Sequence, residues 1–290
     1  MNGGVDLSII IVFYDKRKCL YNCLKSIFSY KIKYTYEVIV VNNSKKDFKK
    51  ELKRYFKRVK YIKSKKNIGY GGGNNLGVKY SKGKHLLILN PDTRCQKDTI
   101  NELLGFLEKN KTTAIAAPKL IDPKGNVLRL AYGKLTPTGG VFALSILNKI
   151  FPNNIFTRDY RKEKVLFSVN PSLIDAAPGS AFVIRKTIFE EIGGFDENIF
   201  LYFEEHDLGI RIQKLGYSIY LIQSALVIHE WHSKKNSSQT LKYHFLKSRY
   251  YYFKKHYGLF SALVVEIFAR ISKIHLLLFI LFLILILFYN

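Results

Sequence analysis

The stretch NIGYGGGNNLGVKYSKGKHLLILNPDT, residues 67–93, decides the fold of this chain. A glycine-rich run leads into Asn74–Ser81, which reads as a helix. Leu86–Leu89 follows as a short apolar strand, and Asn90-Pro91-Asp92-Thr93 closes the stretch as a polar turn. A short, wholly apolar run bounded by turn signals reads as a strand of a sheet covered on both faces.

The same grammar extends outward. Upstream, Leu7–Phe13, Tyr36–Val41 and, more weakly, Val59–Ser64 read as strands. Between the first two, Lys16–Tyr30 carries Leu20, Cys23, Leu24 and Ile27 at helical spacing, and a second stripe comprises Leu52, Tyr55, Phe56 and Val59. Downstream, Thr99–Lys109 reads as a helix with Asp98 as its N-cap. Residues 120–175 read as loops and short helices. Thr187–Ile192 is a short helix stopped by Gly193-Gly194, Phe203–Leu215 is a longer one ending at Gly216, and Ser218–Ile228 holds one or two strands. Strand–helix alternation predicts an α/β fold, with a Rossmann-like, mostly parallel sheet flanked by helices.

Such sheets bind ligands beyond the carboxyl ends of their strands. Here those ends are Tyr14-Asp15, Asn42-Asn43-Ser44, the glycine-rich run and Asn90–Thr93, all polar or glycine-rich although the strands are apolar. The glycine run is not a dinucleotide fingerprint: Asn74 and Leu76 stand where its third glycine would be needed. Asp92, just past a strand, is where a divalent cation can be held against a diphosphate, although Pro91-Asp92 also suits a plain turn. A second acidic cluster, Phe200-Leu-Tyr-Phe-Glu-Glu-His-Asp207, lies far downstream. Asp207 and Arg211 are spaced to pair, which leaves Glu204 and Glu205 for chemistry, and an aromatic setting raises a carboxylate's proton affinity. His229-Glu-Trp-His232 lacks the spacing of a zinc protease; a histidine ending a strand can ligate a metal or phosphate.

Composition bounds the rest. The 290 residues carry a net charge of +25, and residues 45–66 hold twelve Lys/Arg against two acids. Nucleic acid, an anionic membrane or an anionic substrate could want that surface, as could plain solvent. Three cysteines without metal spacing argue for a reducing compartment. Leu276–Tyr289 is apolar throughout; with two weaker residues before it, a helix reaches about 24 Å against a hydrocarbon core of ~30 Å, so a span and an interfacial anchor are both open. Lys247, Arg249, Lys254, Lys255, Arg270 and Lys273 precede it, which places the body on the cytoplasmic side.

Taken in order, SIIIVFYDKRKCLYNCLKSI, VIVVNNS, the 67–93 stretch, GSAFVIRKTIFEEIGGFDENIFLYFEEHDLGIRIQKLGY and VIHEWH resemble glycosyltransferase family 2, the inverting GT-A type, in its rhamnosyltransferase-like branch. The resemblance covers residues 6–258, so residues 1–258 are expected to form a GT-A domain, and the apolar, cation-flanked residues 259–290 read as an amphipathic to hydrophobic membrane-associating segment. It implies that Phe13, Tyr14, Asp15, Asn42, Asn74, Asn75 and Asn90 lie on the donor-nucleotide side. Asp92 and His229 would hold Mg²⁺ or Mn²⁺, and Glu205 would be the catalytic base. Asn42 and Asn90 stand where the family usually has aspartates, and Glu205 where an aspartate is common. The implied partners are a dTDP- or UDP-sugar donor, a growing surface glycan or lipid-linked acceptor, and an anionic membrane surface at the cytoplasmic face of the inner or plasma membrane, with no nucleic acid. The rival readings are a catalytically inactive family member and a basic nucleic-acid- or membrane-binding protein.

Overall fold

A computed structural model describes residues 4–168, 171–230 and 239–271. Among the described residues nine strands form one sheet: β1 Leu7–Phe13, β2 Tyr36–Asn42, β3 Lys60–Lys63, β4 His85–Leu89, β5 Thr93–Cys95, β6 Thr113–Ile121, β7 Ser172–Ile174, β8 Ala181–Arg185 and β9 Ser218–His229. Their spatial order is β3-β2-β1-β4-β8-β6-β9-β5, with β7 also paired to β9. The half built from β3, β2, β1 and β4 is parallel. Beyond β4 the sheet is mixed: β8 is antiparallel to both its neighbours, β6 and β9 are parallel, and β5 and β7 run antiparallel to β9. The mostly parallel sheet expected from the sequence therefore describes only the N-terminal half.

Period-two alternation sorts the core onto two faces. Ile9 and Ile11 face a cluster with Leu20, Leu24 and Leu103, from the helices Arg17–Ser29 and Thr99–Lys109. Ile10 faces the opposite cluster with Val78, Ile188 and Leu208, from the helices Gly69–Lys79, Lys186–Glu191 and Glu204–Lys214. The glycine-rich run is thus the first half of a helix rather than a loop. A Cβ on Gly73 would stand 2.7 Å from Val12 Cγ1, and one on Gly77 2.5 Å from Ile10 Cγ2. Those glycines let the helix lie directly on β1. Tyr55, expected on a buried stripe, is 62% exposed. Asp98 precedes its helix in the left-handed region and makes no capping bond; its carboxylate accepts from Asn101 Nδ2 instead.

A third cluster sits beside the sheet. Leu135, Phe203, Ile210, Tyr252, Phe253, Ala262 and Val265 close around one another. The helix Gln239–Arg270 supplies the last four and is kinked at Gly258, φ 85°. Residue 258, expected as a domain boundary, is this kink. Ala262 and Val265 beyond it are fully buried against the body. Among the described residues no helix is long and apolar enough to cross a membrane, and Leu276–Tyr289 lies outside them.

Candidate active site

The turn after β4 builds the first half of the site. From Leu89 the chain does not return to the next strand of the sheet but crosses to its far side, where Thr93 pairs with His229. The pairing continues one step, since Glu230 N donates to Asp92 O at 2.8 Å. This crossing sets Asp92 Oδ1 3.3 Å from His229 Nε2. The Oδ1 atom is buried and accepts no hydrogen bond among the described residues. Two residues 137 positions apart in sequence thus share one point.

An open cleft of about 280 Å³ adjoins them, lined by Asp15, Lys16, Cys19, Asn90, Pro91 and Asp92. The ends of β1 and β4 therefore meet. Lys16 takes a left-handed conformation, φ 63°, and its N–H bonds to the Asp15 carboxylate at 2.8 Å. Tyr14 beside it is 60% exposed.

The second half is the start of the helix Glu204–Lys214. Tyr202 and Phe203 precede it with φ of 71° and 72°. Left-handed conformations cost non-glycine residues about 1–2 kcal/mol each and persist where surrounding packing over-determines them. Here Phe203 packs on Phe245 and Tyr252, and Ser248 Oγ bonds to Leu201 O at 2.9 Å. The bend presents Glu204 and Glu205 in the first helical turn, where the helix dipole favours carboxylates.

The two acids differ. Glu204 is buried, with Oε1 lacking a partner among the described residues, and burial followed by the charge of Glu205 pushes its carboxyl well above the usual range. Glu205 is half-buried, and its Oε2 and the Tyr70 hydroxyl both come within 3.8 Å of where a Cβ on Gly179 would stand. Tyr70 donates to Gly179 O; burial first, then Glu204 and Glu205, raise its phenol well above its ordinary value. The next residue links this half to the first, because Ser180 O accepts from Asn90 N at 2.8 Å. The turn Pro178-Gly179-Ser180 thus stands between the Asp92 side and the Glu205 side.

Asp207 anchors the helix. Arg211 Nη2 lies at 2.7 Å, Lys255 Nζ at 2.5 Å and His256 Nε2 at 2.8 Å. Burial alone would raise its carboxyl; the His256 bond, the Arg211 charge and Lys255 outweigh that and hold it at about 2. The expected Asp207–Arg211 pairing is present, and of the two other acids in this turn Glu205 comes near Gly179 while Glu204 is buried.

The family model described as glycosyl transferase family 2 matches residues 8–193. The chain belongs to that family. It is 31% identical over 230 residues to the low-salt glycan biosynthesis hexosyltransferase Agl10 of Haloferax volcanii, covering 77% of this chain and 67% of the relative. It is 32% identical over 152 residues to the N-acetylglucosaminyl-diphospho-decaprenol L-rhamnosyltransferase of Mycobacterium tuberculosis, covering 51% of this chain and 48% of the relative. Rhamnosyltransferase WbbL of Escherichia coli is 26% identical over 226 residues, covering 75% and 81%. Among solved structures, GalNAc-T7 with UDP, GalNAc and Mn²⁺ shares the fold, at TM-score 0.61 and 17% identity, over 88% of this chain and 50% of that one. The family 2 chain thus spans about half the length of the mycobacterial relative and of GalNAc-T7.

Within this glycosyltransferase fold, four residues expected on the nucleotide side have their side chains engaged elsewhere. Phe13 is 3% exposed and packs edge-on against Phe48. Asn42 is fully buried: Nδ2 donates to Lys46 O and Tyr61 Oη, and Oδ1 accepts from Ser44 N. Asn74 is buried within its helix, donating to Tyr70 O. Asn75 holds the 195–197 turn, donating to Phe195 O and Glu197 Oε1 and accepting from Phe195 N. Tyr14, Asp15, Asn90, Asp92 and His229 remain as side chains in or beside the cleft, and Glu205 lies across the Pro178–Ser180 turn. Tyr70 and the Pro178–Ser180 turn, the latter legible as the start of a turn and strand, were not among the residues expected at the site. An aromatic inside a glycine run and a Pro-Gly-Ser before a strand were the available signals.

Proposed function

We propose that this chain is an inverting glycosyltransferase that moves rhamnose or a similar sugar from a dTDP- or UDP-sugar to a hydroxyl of a surface glycan or lipid-linked acceptor, at the cytoplasmic face of the membrane. The observation that carries the reading is the placement of Asp92 and His229, 3.3 Å apart, on one side of the Pro178–Ser180 turn, with Glu205 on the other. Direct displacement needs a group that takes the acceptor's proton and a separate group that receives the leaving diphosphate.

The residues present fit a divalent cation. Asp92 Oδ1 is a buried oxygen without a hydrogen bond among the described residues, and it faces an imidazole nitrogen. Among the described residues no third histidine, cysteine or acid joins them, so donor phosphates and water would supply the remaining ligands. Bound there, Mg²⁺ or Mn²⁺ would neutralise charge on the departing diphosphate. Exposed Tyr14 and the neighbouring Asp15 stand where the nucleotide would lie. Glu205 takes the acceptor proton. Burial and the neighbouring Glu205 push the Glu204 carboxyl well above its usual range, so a second negative charge beside that step is disfavoured.

The test is a panel of sugar nucleotides with Mg²⁺ or Mn²⁺, scored by release of nucleoside diphosphate and by transfer to a lipid-linked glycan. Metal-dependent turnover of one donor is expected. No turnover of any donor with either metal would instead favour an inactive family member.

A further inference from the structure

The helical segment beyond Gly258 has two faces. Ala262, Val265 and Glu266 point into the body, and Glu266 is held by Arg249 through two bonds of 2.7 and 3.0 Å. The other face is Leu259, Phe260, Leu263 and Ile267, exposed by 53%, 80%, 47% and 59%. Phe260, Leu263 and Ile267 follow the i, i+3, i+7 spacing of one helical stripe. Among the described residues no acid stands on that face, and Arg270 at its end, whose side chain is 72% exposed, reaches back to the inward Glu266 at 3.2 Å. A soluble surface seldom leaves four large apolar side chains together on one helix without an occupant.

We propose that this face docks on an anionic lipid surface. Three observations favour a bilayer over a protein partner. The stripe is apolar with a cation and no acid, the pattern of a helix lying in a headgroup region. The chain carries +25 overall, so anionic lipid attracts it at long range. The sequence also runs on from this helix into Leu276–Tyr289, apolar throughout, which water does not favour and a bilayer does.

The docked face is rigidly tied to the active site. Arg249–Glu266 fixes the segment to the preceding helical stretch, and Lys255 and His256 of that stretch bind Asp207 in the helix that carries Glu205. A bilayer under Phe260 therefore sets the height of Glu205 above the membrane, which suits an acceptor held by a lipid. This last point rests on the glycosyl-transfer reading; the docking itself does not.

The experiment is vesicle flotation of the full chain with neutral phosphatidylcholine and with phosphatidylcholine containing phosphatidylglycerol. The wild type is compared with the triple variant F260E/L263E/I267E, and donor turnover is measured without vesicles in parallel. Binding to anionic vesicles and an at least ~10-fold weaker partition of the triple variant are expected, with donor turnover unchanged. Undiminished flotation of the triple variant would overturn the proposal and assign anchoring to other residues. Equal binding to neutral vesicles would overturn its anionic part. A second measurement places an environment-sensitive fluorophore through F260C, since Cys19, Cys23 and Cys95 are buried. A blue shift on anionic vesicles is expected; its absence would mean that another part of the chain or a second copy covers the face. Loss of donor turnover in the wild type, with docking intact, would sink the catalytic reading alone.

Discussion

Replacing Asp207 by Asn removes the charge that ties the helix Glu204–Lys214 to the C-terminal helix. The side chain is 1% exposed and faces Arg211, Lys255 and His256. Removing one partner of a buried ionic group costs about 3–5 kcal/mol when the remaining charges are left uncompensated. Here they are partly compensated: Lys255 keeps Asp196 at 2.7 Å, and Arg211 keeps the carbonyls of Ile192 and Gly194 at 2.7 Å. The carboxyl's fall from 3.8 to about 2 gives an independent figure, about 2 kcal/mol at 1.36 kcal/mol per unit. The expected loss is therefore about 2–4 kcal/mol at neutral pH. The folded carboxyl is more acidic than the unfolded one, so this stability is present above pH ~4 and is lost as pH falls through ~2. Urea unfolding followed by circular dichroism at pH 7 and pH 3 measures it. The gap between wild type and D207N should narrow by about 1 kcal/mol at pH 3. A gap below about 0.5 kcal/mol at pH 7, the size of an ordinary surface substitution, or a gap indifferent to pH, would refute this account of the anchor.

Glu205→Gln should lower transfer by about 10²–10⁴-fold, the usual worth of a positioned base, with an unchanged circular dichroism spectrum; wild-type-like turnover would remove its role. Glu204→Gln should keep turnover within about tenfold of wild type, because burial and the neighbouring Glu205 already bias the native carboxyl towards its neutral form. Its raised folded value means that Glu204 favours folding at low pH and that this is lost as pH rises through that value. Melting curves at pH 4 and 8 should therefore show E204Q gaining on wild type at the higher pH. Asp92→Ala should abolish transfer, and His229→Ala should raise the Mn²⁺ needed for half-maximal rate by at least ~10-fold, read by metal titration of the initial rate. Gly77→Ala, whose new Cβ would lie 2.5 Å from Ile10 Cγ2, should cost about 1–3 kcal/mol in urea unfolding through overpacking.

The sequence by itself determined the local elements and the kind of chemistry. Apolar runs such as Leu7–Phe13 and Leu86–Leu89 could only be buried strands, and helical spacing fixed Leu20, Cys23, Leu24 and Ile27 as one inward face. Polar residues at strand ends marked the site side of the sheet, and the ordered motifs pointed to the family. Tertiary structure decided which of those polar residues face the site. Strand pairing is long-range, so nothing local to NPDT announces that the chain crosses to β9 and brings Asp92 against His229. Nor does local sequence tell a side chain at a strand end to satisfy itself inward, as Asn42 does, or outward, as Tyr14 does. The glycine run looked like a ligand loop because glycine serves close approach of any backbone; only packing showed that the approach is to β1. Glu204 and Glu205 are neighbours of the same type in sequence. Burial, a property of the folded whole, raises the proton affinity of Glu204 and leaves Glu205 facing the turn.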